Sequence, residues 1–169
     1  MKTLVTTFLL FFSIFFGFAQ EKSKQQIKEE KKLAKQKEIE ALVDSKEYEF
    51  QADMAFPQGT RSINMTTNAN FLRFKKDTIH SEMPFFGRAY SGVGYGGGGG
   101  LDFKGPIKDY SIKKGKKYYT IKADVKGDSD SYGIILTVYF DGGANLSINS
   151  INRSPISYRG NIDKLEIKK

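Results

Sequence analysis

After position 46 the chain alternates between apolar and polar residues with a period of two, and this alternation limits the possible folds more than any other feature. The first such segment, Glu47 to Phe56, has apolar side chains at every second position: Tyr48, Phe50, Ala52, Met54 and Phe56. A period of two is typical of a strand with one face in a hydrophobic core and the other in solvent. We therefore predict a strand here, with its charged and amide side chains in solvent.

The same pattern returns along the rest of the chain, interrupted by short turns rich in glycine, asparagine and aspartate. Further strands are expected near positions 63–65, 72–74, 101–104, 119–125, 132–140, 146–148, 156–158 and 165–167. Asp141-Gly142-Gly143, between two of these segments, is a strong signal for a hairpin. About eight to ten strands with such short connections favour a mainly β fold, an antiparallel meander arranged as a sandwich or a partly closed barrel.

The alternation also predicts which side chains form the core. The side chains expected to point inward are Phe50, Met54, Leu72, Phe74, Ile121, Leu136, Val138 and Ile148, and those expected to point outward are Asp53, Lys122 and Asn149. The continuous apolar run from Ile134 to Leu136 further predicts that its strand is buried on both faces. These assignments fix the register of the strands, because a slip of one residue inverts every side chain.

The first nineteen residues have the features of a secretory signal peptide. Lys2 supplies a positive start, the stretch from Leu4 to Phe18 is mostly apolar, and small residues stand at Gly17 and Ala19. The apolar run is shorter than the ~20 residues of a membrane-spanning helix. We expect cleavage after Ala19, export to the periplasm or beyond the cell, and no membrane span in the mature chain. Because the chain contains no cysteine, disulfides and lipid attachment at a mature N-terminal cysteine are excluded.

A charged segment at 20–45 separates this peptide from the alternating region. It consists mainly of glutamate, lysine, glutamine and alanine, which favour helix, and its apolar stripe is narrow. We predict a helix from about Lys24 to Val43 that docks only near Leu42 and Val43, with a coiled-coil dimer as the alternative. The expected organisation is a signal peptide at 1–19, a charged helix or spacer at 20–45, and a single β domain at 46–169.

The basic composition of the chain indicates which classes of binding partner are possible. The formal net charge is +8, and runs of one sign are no longer than lysine pairs such as Lys113-Lys114. A basic surface suits nucleic acid, an anionic membrane or an anionic polymer. For an exported protein we expect no nucleic acid partner, and we favour general solubility over binding to an anionic envelope polymer.

Neither a metal site nor a cofactor site is expected. His80 is the only histidine, so a histidine cluster cannot form. The glycine pattern Gly92-x-Gly94-x-x-Gly97 is followed by strand-like sequence, whereas a dinucleotide site needs a helix there. No catalytic constellation is evident either, and we expect no enzymatic activity.

The stretch Met83–Tyr90 is the densest aromatic cluster after the signal peptide, and it leads into five consecutive glycines, Gly96–Gly100. One interpretation is a binding edge, in which Arg88 presents a planar donor fork and Tyr90 and Tyr95 present flat aromatic faces. Such an edge suits an acidic or hydroxyl-rich ligand, and the glycines would let that ligand approach the backbone.

The alternative interpretation of this stretch is structural. In it, Phe85 or Phe86 fills one end of the core, and Arg88 pairs with a nearby carboxylate. We favour the structural role for the two phenylalanines, and we leave both roles open for Arg88, Tyr90 and Tyr95.

Four local patterns carry a resemblance to a known family. They are Val43-Asp44-Ser45-Lys46 with Tyr48 and Phe50, the turn Pro57-x-Gly59-x-Arg61, the stretch Met83–Tyr90, and the closing Ile156-x-Tyr158-x-Gly160-x-Ile162. Together they resemble the small exported proteins of Bacteroidota that are grouped as domain of unknown function 4251. The resemblance extends from Ala41 to the C-terminus, although members usually have tyrosine in place of Phe85 and fewer glycines after it. It implies export and a shared fold, and it implies no activity.

These observations together favour a non-enzymatic cell-envelope protein that binds an envelope glycan or an envelope protein. Two alternatives remain: a structural partner of another envelope protein, and an uncharacterised glycan-acting enzyme. Such an enzyme would need two carboxyl groups roughly 5 to 9 Å apart across a cleft. Asp102 and Asp109 are the acids nearest to the glycine run in the sequence.

Overall fold

A computed structural model describes residues 23–90, 99–127 and 130–165 of the protein. The predicted signal peptide, Tyr95 and the predicted strand end at Ile167 lie outside these ranges. In chain order the described elements are α1 (Lys24–Ser45), β1 (Glu47–Pro57), β2 (Ile63–Asn64), β3 (Phe71–Lys75), β4 (Thr78–Met83), β5 (Leu101–Lys114), β6 (Tyr118–Lys126), β7 (Ser131–Tyr139), β8 (Gly143–Ser150) and β9 (Ile156–Lys164). The mainly β class and the preceding helix are confirmed.

The strands form one antiparallel sheet that closes on itself. From β3 to β9 every strand pairs with the next in the chain, β1 pairs with β3, and β9 returns to pair with β1. The result is a closed barrel of eight strands, with β2 as an extra strand on β1. The predicted meander is therefore confirmed, and of the two predicted arrangements the barrel is the one formed, with complete closure.

The interior of the barrel is filled by side chains from alternate positions of every long strand. Seven of the eight side chains predicted to point inward are at most 1% exposed: Phe50, Leu72, Phe74, Ile121, Leu136, Val138 and Ile148. The three side chains predicted to point outward, Asp53, Lys122 and Asn149, are exposed. The prediction for Met54 is wrong, since it is only partly buried.

A β-bulge in β1 explains the error at Met54. The register between β1 and β9 shifts between Ala52 and Met54, so that Asp53 is the extra residue. An extra residue exchanges the inner and outer faces of a strand. Downstream of it Ala55 is buried, whereas Phe56, also predicted to be inward, is 41% exposed.

Strand β7 also differs from the prediction. Ile134 and Leu136 are buried, but Ile135 between them is 37% exposed. The outer face of a closed barrel is not covered by a second sheet, so a strand within it alternates even where its sequence is continuously apolar. The expected burial on both faces is therefore wrong.

The chain divides into two compact units, Met1–Leu33 and Ala34–Lys169, and α1 contributes to both. In the first unit Ser23 caps the helix: the Gln26 amide donates to Ser23 Oγ at 3.2 Å, and Gln26 Oε1 accepts from the Ser23 amide at 2.9 Å. In the second unit Ile39, Leu42 and Val43 belong to the buried core of the barrel. The predicted helix and its docking residues are confirmed, with Ile39 in addition. Among the described residues, no helix is long and apolar enough to cross a membrane.

Candidate functional site

The first half of the Met83–Tyr90 stretch belongs to the core. Met83 ends β4 and is fully buried, and the carbonyl oxygen of Pro84 accepts a hydrogen bond of 2.7 Å from Tyr158 Oη. Phe85 and Phe86 are partly buried and pack against the core cluster. The structural interpretation of the two phenylalanines is thus confirmed: they fill this end of the barrel.

The second half of the stretch is held along the segment that connects β8 to β9. The Arg88 amide donates to Ser154 Oγ at 3.0 Å, the Ser154 amide donates to the Arg88 carbonyl at 2.9 Å, and the Tyr90 amide donates to the Asn152 carbonyl at 2.7 Å. This pairing needs Gly87, because a Cβ at that position would overlap Ser154 Oγ and the Phe85 ring. The backbone that presents Arg88 and Tyr90 is therefore fixed at both residues.

Both side chains point away from this fixed backbone into solvent. Tyr90 is 68% exposed, Arg88 is exposed, and the Arg88 guanidinium has no carboxylate within ion-pair distance among the described residues. The pairing that the structural interpretation required for Arg88 is therefore not made within the part of the chain that the structure describes. We call Arg88 and Tyr90 together the Arg–Tyr edge.

The structural arginine at this end of the barrel is Arg153, which the sequence did not single out. Its Nη1 donates to the carbonyl oxygens of Gly99 and Gly100, the latter at 2.7 Å, and its guanidinium lies 5.2 Å from the centre of the Phe85 ring. Arg153 thereby fastens the end of the glycine run to the core stretch. No local motif marks Arg153, because its partners are backbone carbonyls more than fifty positions away.

A second candidate surface lies on the outside of the barrel, across β1, β3 and β9. It is an open depression of about 740 Å³, here called the polar trough, lined by Glu49, Gln51, Asp53, Arg73, Asn161, Asp163, Lys164 and Leu165. Gln51 Nε2 donates to Glu49 Oε1 at 2.8 Å, and Arg73 Nε donates to the other oxygen of the same carboxylate. Asn161 Nδ2 donates to Asp53 Oδ2 at 3.2 Å. These contacts hold several donors and acceptors in fixed positions before any ligand arrives.

The trough also places two carboxyl groups side by side. Glu49 and Asp163 are directly opposite each other in the β1–β9 register. Side chains in such a pair have Cβ atoms about 5 Å apart, so their carboxyl groups share one part of the trough.

Comparison with known proteins identifies the family. The family model described as "Domain of unknown function (DUF4251)" matches residues 30–162 of the chain. The chain belongs to the DUF4251 family. A crystal structure of a DUF4251 family protein from Bacteroides eggerthii has the same fold, with a TM-score of 0.61, 19% sequence identity, and coverage of 78% of this chain and 88% of that chain. None of the curated proteins matches the chain significantly.

The two acids nearest to the glycine run do not form a catalytic pair in this DUF4251 protein. Asp102 and Asp109 lie on the same strand, β5, which at ~3.3 Å per residue separates them by roughly 20 Å. Asp102 instead faces Glu82 across the β4–β5 pair. Burial raises the pKa of the Asp102 carboxyl above its usual range, and the charge of Glu82 raises it further.

His80, the only histidine of the sequence, lies on β4 and is partly exposed. Its Nε2 is 3.3 Å from Glu82 Oε1, and its ring meets Phe71 edge-on at 5.0 Å. Among the described residues, no group of histidine and acidic side chains could hold a metal ion.

Proposed function

We propose that this DUF4251 protein is a non-enzymatic binding module, exported to the cell envelope, and that the Arg–Tyr edge is its ligand-binding surface. The observation that carries the proposal is the contrast between the two arginines at this end of the barrel. Arg153 is engaged with backbone carbonyls, whereas Arg88 stands exposed beside an exposed tyrosine and has no carboxylate partner among the described residues.

The chemistry of the edge suits an acidic or hydroxyl-rich group. A guanidinium donates to carboxylate, phosphate or sugar oxygens with a planar fork, and a tyrosine ring stacks against the apolar face of a sugar. Because the backbone of both residues is already paired with the β8–β9 connection, little chain entropy is lost when a ligand binds. An envelope glycan offers acidic groups and hydroxyl-rich sugar rings, whereas an acidic patch on an envelope protein offers acidic groups alone.

The test compares Arg88→Ala and Tyr90→Ala with Arg61→Ala, an exposed arginine in the turn after β1. Immobilised protein is mixed with envelope extract, and the captured glycans and proteins are identified and quantified. We expect both edge variants to lose captured material by about tenfold, the Arg61 variant to retain it, and the melting temperature of all three to stay close to that of the parent. Unchanged capture by both edge variants would overturn the proposal.

Export is tested separately by mass spectrometry of the protein recovered from its native host. A chain that begins at Gln20 is expected, and an intact Met1 would contradict the proposed processing.

The polar trough favours a second candidate function, that of a glycan-acting enzyme. Glu49 and Asp163 supply two adjacent carboxyl groups in an open depression. Glycoside hydrolysis commonly uses a pair of carboxyl groups. Glu49 is also engaged by Arg73 and Gln51, and for this reason the enzyme is the second candidate and the binding module the first. Release of reducing sugar ends from envelope glycans, abolished by Asp163→Asn and retained by Asp141→Asn, would establish the enzyme instead.

A further inference from the structure

The β5–β6 hairpin concentrates the positive charge of the protein. Residues 101–126 contain eight lysines and three aspartates, and no glutamate or arginine, so the hairpin has a net charge of +5 out of +8 for the whole chain. The lysines are Lys104, Lys108, Lys113, Lys114, Lys116, Lys117, Lys122 and Lys126. No run in the sequence exceeds two lysines, but only Gly115 separates Lys113-Lys114 from Lys116-Lys117, at the connection between the two strands.

These lysines are available to a partner. All eight are exposed, and Lys114 alone has a carboxylate within 4.0 Å among the described residues, namely that of Glu40. A surface whose cations are not neutralised by neighbouring acids produces a local positive potential that attracts polyanions.

The tip of the hairpin adds apolar surface to this charge. Lys113, Lys116 and Lys117 surround a tight connection closed by a 2.8 Å hydrogen bond from the Gly115 amide to the Tyr118 carbonyl. Beside them two apolar side chains are partly exposed, one on each face of the hairpin. Ile112, opposite Ile121, is 38% exposed, and Tyr118, opposite Tyr139, is 42% exposed. The Tyr118 ring is supported from one side by an edge contact with the Tyr139 ring, at 6.1 Å between centres.

The combination of lysines with exposed apolar side chains favours one kind of anionic partner over the others. Lysine is a compact charge that does not select planar groups. The exposed rings of Tyr118 and Tyr139 meet at 73°, and so provide no parallel stacking platform for successive bases. An aliphatic residue and a tyrosine flanked by lysines are what a peripheral protein inserts at the boundary between headgroups and acyl chains. Lysine stems also lie along such a boundary while their ammonium groups remain in water.

We propose that the tip of the β5–β6 hairpin docks the protein on a lipid surface with anionic headgroups. Lys113, Lys116 and Lys117 contact headgroup phosphates, and Ile112 and Tyr118 enter the headgroup layer. The helix end in the second unit braces this tip through the ion pair between Glu40 and Lys114. This inference does not depend on the Arg–Tyr edge, which lies on other elements.

The experiment measures co-sedimentation of the processed chain, from Gln20 onward, with two kinds of vesicle. One contains equal parts of phosphatidylglycerol and phosphatidylcholine, and the other contains phosphatidylcholine alone. The parent protein is expected to bind the anionic vesicles, to bind the neutral ones at least about tenfold more weakly, and to be released by high salt. Equal binding to both vesicles, or binding to neither, would overturn the proposal.

Two triple variants with the same change of charge identify the surface. Lys113→Glu, Lys116→Glu and Lys117→Glu together should weaken binding to anionic vesicles at least about tenfold, since each lysine contributes separately near the membrane. Lys28→Glu, Lys31→Glu and Lys32→Glu together, all exposed on α1, should leave most of the binding in place. Equal losses in the two triple variants would mean that total charge, and not the hairpin, is responsible.

Two further comparisons separate a lipid surface from a soluble polymer. Ile112→Ser with Tyr118→Ser should weaken vesicle binding several-fold while the salt dependence persists, because only the inserted apolar surface is removed. Soluble polyphosphate, at the same phosphate concentration, should compete poorly with anionic vesicles. If polyphosphate binds the parent protein as tightly as the vesicles do, or if the double variant binds vesicles normally, the proposed docking on lipid is wrong.

Discussion

Gly160 stands where β9 crosses the bulge of β1, and the barrel closes over it without room for a side chain. A Cβ at Gly160 would overlap the carbonyl oxygen of Gln51 and lie 2.8 Å from Ala52 Cα. Both neighbours are backbone atoms, so neither can rotate away. The closure between the first and last strands therefore depends on the absence of a single methyl group.

Gly160→Ala should destabilise the fold by about 2 kcal/mol or more, because the two strands must separate to admit the methyl group. The matched control is Gly133→Ala on β7, where the new Cβ would lie 3.5 Å from Asp124 Oδ1, an ordinary contact distance. Urea unfolding of the two variants measures the difference. Similar losses in both would show that the close approach of β9 to β1 does not limit stability.

At the scale of elements, the last turns of α1 belong to the barrel core. Ile39 and Val43 are at most 1% exposed, and Ile39 Cδ1 lies beside Gly142 at the β7–β8 connection. Lys46 then ends the helix in the left-handed region, with φ of 55°, and β1 begins at the next residue. The helix and the first strand are thus consecutive parts of one folding unit from Ala34 onward.

Ile39→Ala should lower the free energy of unfolding of the whole barrel by about 2 to 5 kcal/mol, since a buried side chain is lost and a cavity remains. Leu33→Ala removes a side chain that is 58% exposed, and this variant should change the free energy of unfolding by less than ~0.5 kcal/mol. The near-ultraviolet circular dichroism of the barrel tyrosines follows unfolding. If the barrel signal is insensitive to Ile39, the helix is an appendage and not a part of the core.

At the scale of the whole molecule, the barrel buries several phenol groups, wholly or in part. Burial raises the pKa of five tyrosines above the ordinary value: Tyr48, Tyr110, Tyr119, Tyr132 and Tyr158. The unfolded chain releases these protons near pH 10, whereas the folded barrel retains them to higher pH. Their contribution to stability is therefore complete below about pH 10 and is lost as the pH rises further.

The free energy of unfolding should accordingly begin to fall above about pH 10, and it should fall steeply with pH because several tyrosines contribute. Tyr158→Phe should lower stability near neutral pH by about 1 kcal/mol, since the hydrogen bond to Pro84 is lost, and should make the alkaline decline shallower. Urea unfolding at a series of pH values checks this, and an unchanged slope for the Tyr158 variant would contradict it.

Several features of this protein follow from local sequence. The period of two placed Phe50, Leu136 and Ile148 in the core, and the Asp141-Gly142-Gly143 turn correctly joined β7 to β8. The charged helix was also evident, because its composition favours helix. These properties depend on neighbours within a few positions, so the sequence alone contains them.

Other features depend on contacts between distant segments. The bulge at Asp53 arises where β1 meets β9, and it turned Met54 and Phe56 outward against a clean local alternation. The closure of the barrel likewise follows from strand pairing. At the candidate site the sequence indicated Arg88 and Tyr90 but not Arg153. The contacts of Arg153 join segments that are more than fifty residues apart, and such contacts produce no local sequence pattern. They are therefore determined by the tertiary structure, when the barrel closes.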